Sequence, residues 1–289
     1  MTILQYPGKK NSIASWVISH FPPDYQSMTY LEPFFGSGSI FFRKERSVIE
    51  TINDLDNEIS NLFMQIRDNP EKLMLLLMNT PWSRNEYDLS FEKTNNSLEQ
   101  ARRCIVRFWF TVGSNVRTKN GMRFEIKRNT GGLNYFHLKL PEVIAQVSER
   151  LKHNRKTLVQ IENKNVFDLL PKYNRENVII YLDPPYLLET RKNRKMYTHE
   201  FSSGEHEELL KLISGSKAKI IISGYMNDLY CQYLKGWRLE KTAAKDQAGN
   251  TKTECIWVNY AKEQRTVNKE QRLLFGGFGV GQRGNANEQ

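Results

Sequence analysis

Short apolar runs that read as strands alternate with segments of helical period along most of this 289-residue chain. Residues 28–33 form an apolar run bounded by a glycine-rich turn, which predicts a buried strand feeding a helix at about 39–46. Residues 47–52 read as the next strand and 57–67 as the next helix, because Ile59, Leu62, Phe63 and Ile66 recur at the helical period. Residues 157–161, 178–182 and 219–223 are rich in β-formers, and a helix over 205–213 precedes the last of them. Strands alternating with helices predict an α/β fold, with a mostly parallel sheet covered on both faces. The rhythm stops between 69 and 140, where helical segments such as 98–110 give way to a Gly-, Asn- and Lys-rich stretch ending near Gly132. Three parts are therefore expected. Residues 1–68 and 141–265 build the sheet domain, 69–140 form an inserted, mainly helical subdomain ending in a basic loop or hairpin, and 266–289 form a mobile tail.

Composition removes several classes. No apolar run approaches the roughly 18 to 20 residues that a membrane span needs. The start, MTILQYPGKK, lacks the basic-then-apolar profile of a secretory signal. Cys104, Cys231 and Cys255 are too few and too scattered for a disulfide framework or a zinc site, so a reducing, cytoplasmic setting is expected. Lys and Arg number 42 against 32 Asp and Glu, a net charge of +10. The excess is clustered. Between Arg102 and Arg128 eight basic residues (Arg102, Arg103, Arg107, Arg117, Lys119, Arg123, Lys127, Arg128) face one acid, Glu125. A second run, Arg191, Lys192, Arg194 and Lys195, follows the 178–182 strand. Such clusters suit a polyanion, because each cation set against a phosphate releases condensed counterions. A single run is as often a solvated face; two runs flanking a reactive turn favour nucleic acid.

Three motifs carry chemistry. Glu32-Pro33-Phe34-Phe35-Gly36-Ser37-Gly38 follows the first strand, where glycines let the backbone turn tightly and approach a nucleotide or nucleoside. By itself the motif is weak, since a Gly-Ser-Gly turn is an ordinary connection in about half of its occurrences. Asp54 ends the following strand, 18 residues after Gly36, where a carboxylate can accept hydrogen bonds from two ribose hydroxyls. Helix capping by Asp54 or Asp56 is an equal alternative. The strongest motif is Val178–Leu182 running into Asp183-Pro184-Pro185-Tyr186, a four-residue match with a chance frequency of roughly one in 500. An exocyclic amino group of adenine is a poor nucleophile because its lone pair is delocalised into the ring. The Asp183 carboxylate and the Pro184 carbonyl, aimed by proline's fixed φ, can accept its two N–H bonds and free that lone pair. Tyr186 supplies a flat face for an extruded base. His20, His137, His153, His199 and His206 show no ligand spacing, so no metal is expected and they read as surface or structural.

With these residues assembled, the chain resembles the DNA adenine methyltransferases (the Dam-like family, in the alpha-group order of motifs). The likeness also rests on Tyr6-Pro7-Gly8-Lys9-Lys10, Glu149-Arg150-Leu151 and the closing segment from Thr253 to Tyr260. It implies a Rossmann-like sheet that uses S-adenosylmethionine, with the insert as target-recognition subdomain. By resemblance, Tyr6 and Lys10 contact the methionine end of the cofactor, with Lys10 facing its carboxylate. Glu32, Pro33, Phe34, Gly36 and Gly38 wall the cofactor pocket, Asp54 holds the ribose, and Asn165 with Val166 meets the adenine. Lys9 stands where the family commonly has a second glycine. Asp183 to Tyr186 would activate the N6 amino group for direct in-line transfer. Arg117, Lys119, Arg123, Lys127 and Arg128 would contact double-stranded DNA, and Tyr197, in the loop after the catalytic turn, would either close over the flipped base or anchor the loop. Asn115 and Asn120 could pair with an adenine edge or form turns, and turn preference favours the second. A cognate restriction nuclease is a candidate partner, and the expected state is a monomer or weak dimer. An RNA adenine methyltransferase would share the same turn. A DNA-binding relative without catalysis would have no reason to keep both Asp183 and the glycines. N4-cytosine enzymes usually carry Ser in place of this Asp.

Overall fold

Strand alternation sorts the core into two halves. In β4 (Val178–Leu182), buried at all five positions, Ile179 and Tyr181 join one apolar cluster while Val178, Ile180 and Leu182 join the other. Successive side chains of a strand point to opposite faces, so an uninterrupted apolar run requires cover on both. The computed structural model describes residues 3–6, 10–113, 115–116, 118–124, 132–190, 197–245 and 251–261. With β1 (Thr29–Glu32), β2 (Ile49–Asn53), β3 (Leu158–Glu162), β5 (Lys219–Gly224), β6 (Arg238–Lys245) and β7 (Thr251–Val258), β4 builds a seven-stranded sheet of order β3-β2-β1-β4-β5-β7-β6. The strands from β3 across to β5 pair in parallel, and β7 runs antiparallel between β5 and β6. This is the Rossmann-like α/β architecture expected from the sequence.

One face is covered by α1 (Ala14–Ile18), α2 (Asn57–Asp68), α3 (Pro70–Met78), α4 (Arg84–Leu89), α5 (Ser97–Phe110) and α7 (Leu140–Leu151), all of which contribute to the same apolar cluster. A short turn, α6 (Gly132–Asn134), leads through a π turn at Tyr135–Lys139 into α7. The other face carries α8 (Val166–Leu169), α9 (Ser203–Ser214) and α10 (Asp228–Tyr233). The helices between 69 and 110 thus share a core with the sheet. No helix among the described residues is long and apolar enough to cross a membrane.

Two elements depart from the expectation. Residues 39–46 form successive turns rather than a helix, closed by Phe42 N–H to the Gly38 carbonyl and by Arg43 and Lys44 N–H to that of Ile40. Ile40, Phe41 and Lys44 bury their side chains while Arg43 and Glu45 are exposed, so the one-sided burial of a helix is kept without its regular hydrogen-bond ladder. Strand β6 was not foreseen, because Arg238-Leu-Glu-Lys-Thr-Ala-Ala-Lys is too charged to show a period; its eight residues are held in register by β7, from Arg238↔Val258 to Lys245↔Thr251. The tail at 266–289 lies outside the described residues.

A buried ion cluster ties this framework together. Glu50 of β2 accepts from Lys44 Nζ at 2.5 Å and from Arg150 of α7 at 2.5 and 2.8 Å, and also from the Ser47 N–H at 3.0 Å. Arg150 lies 3.8 Å over the Phe41 ring, and Lys44 lies 4.2 Å over the Tyr30 ring. Burial raises the Glu50 carboxyl, but the Arg150 hydrogen bonds and the Lys44 charge outweigh it and hold the group below its ordinary value. Burial lowers Lys44 to about 8, against the pull of Glu50.

Candidate active site

The strand order reverses between β1 and β4, and α/β sheets bind ligands outside the carboxyl ends of their strands at that point. A cleft of about 990 Å³, its open mouth included, lies there. Tyr6, Lys10, Glu32, Pro33, Phe34, Gly36, Asp54, Asn165, Val166 and Asp183 all line it. Of the residues expected to bind cofactor, Gly38 alone does not. Its φ is +66°, and an added Cβ would stand 2.5 Å from both the Phe35 and Phe42 rings, so its role is steric.

Local hydrogen bonds explain how the wall is held. The Gly36 N–H, at φ +49°, donates to Asp54 Oδ2 at 2.7 Å, and Asp54 Oδ1 accepts the Asp56 N–H at 2.9 Å. Asp56, not Asp54, caps α2 by accepting the Glu58 N–H. Asp54 instead braces the glycine turn and faces the cleft. Burial pushes its carboxyl up to about 7, opposed by the two N–H donors. Glu32 beside it is raised to about 8 by burial, against the Tyr30 hydroxyl that donates to it at 2.6 Å. The Asn53 amide bonds to the Pro33 and Lys164 carbonyls at 2.9 and 3.0 Å, joining the ends of β1 and β2 to the segment after β3. Asn165 caps α8 through the Phe167 N–H while lining the cleft. The Tyr6 ring stacks on Phe108 at 5.5 Å, tilts against Tyr197 at 6.2 Å, and leaves only 3.0 Å for a Cβ at Gly36.

Asp183 stands at the end of β4. Its buried Oδ1 pairs with Lys10 Nζ at 3.0 Å. Burial raises the Asp183 carboxyl, and the Lys10 charge opposes this. Burial would lower Lys10, but Asp183 and Glu254 more than offset it and keep the ammonium charged. Lys10 thus lies in the cleft beside Asp183 and 4.5 Å over the Tyr186 ring. Pro184 is buried in the turn, and the Pro185 carbonyl meets His206 Nε2 at 3.0 Å. Tyr186 is buried, its hydroxyl donating to Glu254 at 2.7 Å and its ring meeting that of Tyr225 edge-on at 4.7 Å. His206 is fully buried, a structural role that the sequence left undivided from a surface one. Glu254, Tyr225 and Tyr181 were not singled out for the site. They carry no local motif, and only the fold brings them to Asp183.

The basic segment divides. Arg102 pairs with Glu99 and Glu86, Arg103 with Glu99, and Arg107 with Glu58, so three of the eight clustered cations serve internal bridges. Helical spacing explains the Glu99 pairs, three and four residues apart on α5. Beyond α5 the chain doubles back: Val112 N–H bonds to the Gly121 carbonyl and Arg123 N–H to that of Phe110, with a bridge between Thr111 and Met122. Lys119, half exposed, lies 3.0 Å from Asp88, and Arg123 Nε donates to the Thr111 carbonyl at 2.8 Å. Asn120 ties the turn by bonding the Asn115 carbonyl and the Thr118 hydroxyl. Arg117, Lys127, Arg128 and the basic run at 191–195 lie outside the described residues. Tyr197 lines the cleft.

Comparison with known proteins adds sequence evidence to this geometry. A type II methyltransferase, M1.LlaDCHI of Lactococcus lactis subsp. cremoris, is 25% identical over 283 residues, covering 89% of this chain and 94% of that protein. Among solved structures, the rRNA methyltransferase AviRa of Streptomyces viridochromogenes aligns over 89% of this chain and 89% of its own, at 12% identity and a TM-score of 0.39. The family profile of the D12 class N6 adenine-specific DNA methyltransferases matches residues 6–247, which include the glycine turn, Asp54 and the Asp183 turn. The chain belongs to that family and is an adenine-specific DNA methyltransferase.

Proposed function

We propose that the cleft binds S-adenosylmethionine and that the methyl group passes directly to N6 of an adenine flipped out of duplex DNA onto Asp183-Pro184-Pro185-Tyr186. The observation that carries this reading is the Asp183 carboxylate at the end of β4, which lines the same cleft as the glycine turn and Asp54, with the Lys10 charge 3.0 Å away opposing the rise that burial imposes on it. The cleft suits the cofactor: the carboxylates of Glu32, Asp54 and Asp183 are among those that line it, and a glycine with positive φ keeps its wall close to a ring. When bound, S-adenosylmethionine supplies a methyl group activated by the adjacent sulfonium.

In this reading Asp54 accepts from the ribose hydroxyls, Asn165 and Val166 meet the adenine, and Tyr6, Glu32 and Lys10 surround the methionine end. Asp183 and the Pro184 carbonyl accept the two N6 protons in hydrogen bonds, and Tyr186 stacks on the base. Holding the reacting atoms close and collinear supplies much of the rate. Residues 69–140 act as the target-recognition part, with Arg117, Lys119, Arg123, Lys127 and Arg128 on DNA and Tyr197 over the flipped base. The name of the Lactococcus relative supports a type II restriction-modification setting, with a nuclease of the same specificity as partner.

Labelled S-adenosylmethionine and unmethylated duplex DNA, digested to nucleosides after incubation, test the reading. Label in N6-methyladenine is expected. Label appearing only when RNA replaces DNA would overturn it.

Asp54 gives the cofactor site a pH dependence. Ribose hydroxyls are held best by an ionised carboxylate, and this one ionises only near pH 7. Cofactor affinity is therefore expected to climb from about pH 6 and level off by about pH 8, at up to tenfold per unit. The ligand-free protein follows the opposite sign. The folded state holds the Asp54 proton between its ordinary value and about 7, so that contribution to stability falls as pH rises through the window and is constant above it. Calorimetric titration of Asp54→Asn should show a weaker and flatter profile. A profile parallel to that of the unaltered protein would remove Asp54 from the ribose.

A further inference from the structure

Resting on that reading, we infer that Glu254 is a positioning residue, fixing the Tyr186 ring as the platform for the flipped base. The inference starts from topology. Because β7 runs antiparallel beside β5, its residues Glu254 and Cys255 lie at the same sheet edge as the carboxyl ends of β4 and β5. Cys255 pairs with Gly224, the last residue of β5, and Tyr225 follows directly. Asp183, Tyr186, Tyr225 and Glu254 are thereby gathered from three strand ends.

Glu254 is only 9% exposed, an expensive place for a carboxylate with no task. Its Oε2 accepts the Tyr186 hydroxyl at 2.7 Å, and it also acts on the Tyr225 hydroxyl, which burial and then the Glu254 charge hold above its ordinary range. Tyr186 is therefore held at its tip by Glu254 and packed T-shaped against Tyr225, while its backbone follows the Pro185 carbonyl held by His206. A ring fixed at its tip cannot swing when the base arrives, so stacking needs no further ordering of the ring. Glu254 itself touches neither base nor cofactor in this scheme; it acts through Tyr186.

The test uses the full-length protein and its mapped DNA target, with the unaltered enzyme as control. If that control places no label in N6-methyladenine, the functional reading fails rather than this inference. Glu254→Ala should lower kcat for transfer about 10²-fold, the scale of a misplaced reacting group, with the cofactor Kd unchanged. Glu254→Gln, whose amide oxygen can still accept, should recover to within about tenfold of the unaltered enzyme. A duplex carrying 2-aminopurine at the target should fluoresce more brightly with Glu254→Ala than with the unaltered enzyme, because the flipped base loses its stacking partner. Tyr186→Phe should lower kcat in the same direction, and its combination with Glu254→Ala should be no worse than Glu254→Ala alone. Undiminished kcat, additive losses, or Glu254→Gln as poor as Glu254→Ala would each overturn the inference. Should Glu254→Ala fail to fold, Tyr186→Phe decides alone: transfer at the unaltered rate overturns the inference, and a loss in kcat with the cofactor Kd unchanged supports it.

Discussion

Replacing Asp183 by alanine lowers methyl transfer by at least about 10³-fold while leaving cofactor binding measurable. Two causes add. The carboxylate that would draw electron density onto N6 is lost, and no neighbouring acceptor can replace it, since Glu254 is committed to Tyr186 and Glu32 to Tyr30. The fold should survive. Lys10 loses its closest anion, but its environment also contains the Glu254 charge, and its burial already favours shedding the proton. Single-turnover transfer, with calorimetric binding of S-adenosylmethionine to the same preparation, separates the two effects. A variant that still transfers methyl groups within tenfold of the original would remove Asp183 from the reaction.

The second large effect is on stability. Glu50→Ala removes the shared anion from a cluster in which Glu50 and the Lys44 side chain are fully buried. Breaking a buried pair by deleting one partner costs about 3–5 kcal/mol. The two stranded cations differ. Lys44, already lowered to about 8, can give up its proton, whereas Arg150 cannot, and most of the cost falls on it. Lys44→Met should be far milder, below about 1.5 kcal/mol, because Glu50 keeps both hydrogen bonds to Arg150 and the methionine fills the stem's volume. Chemical denaturation of the two variants checks the ratio, with Tm falling by roughly 10 °C for Glu50→Ala. Equal losses would mean that the cluster is held by packing and not by charge.

Most of the sheet was legible because its strands announce themselves twice, by apolar runs and by the helices between them. Residues 178–182 could be placed to the residue: a run apolar at five consecutive positions must be covered on both faces. The cleft wall was legible for a related reason. Glycine turns and strand-end carboxylates are sequence-local signals, and Gly36 and Asp54 follow neighbouring parallel strands, β1 and β2, whose ends meet. Glu254 and Tyr225 were not legible, because their partners lie far along the chain and only strand order joins them. The charge count misled at α5. A cluster of arginines looks the same whether it faces solvent or its own helix's acids, and Arg102, Arg103 and Arg107 turned inward to Glu58, Glu86 and Glu99. Residues 39–46 misled because their buried positions, 40, 41 and 44, keep helical spacing whether the chain closes into a helix or into turns.

The parallel pairing of β2 with β3 has a kinetic side. These neighbours in the sheet are separated in the chain by the helices α2 to α7. Closing a loop of roughly 100 residues costs about 4 kcal/mol in chain entropy before any ladder bond forms. The chain can meet that cost in stages, since α5 packs on α2 and α3 on α7, each closing a shorter span. The helical segment then acts as a folding splint. Arg150 of α7, bonded to Glu50 of β2, anchors the chain just before β3 and so shortens the remaining search for the sheet's edge.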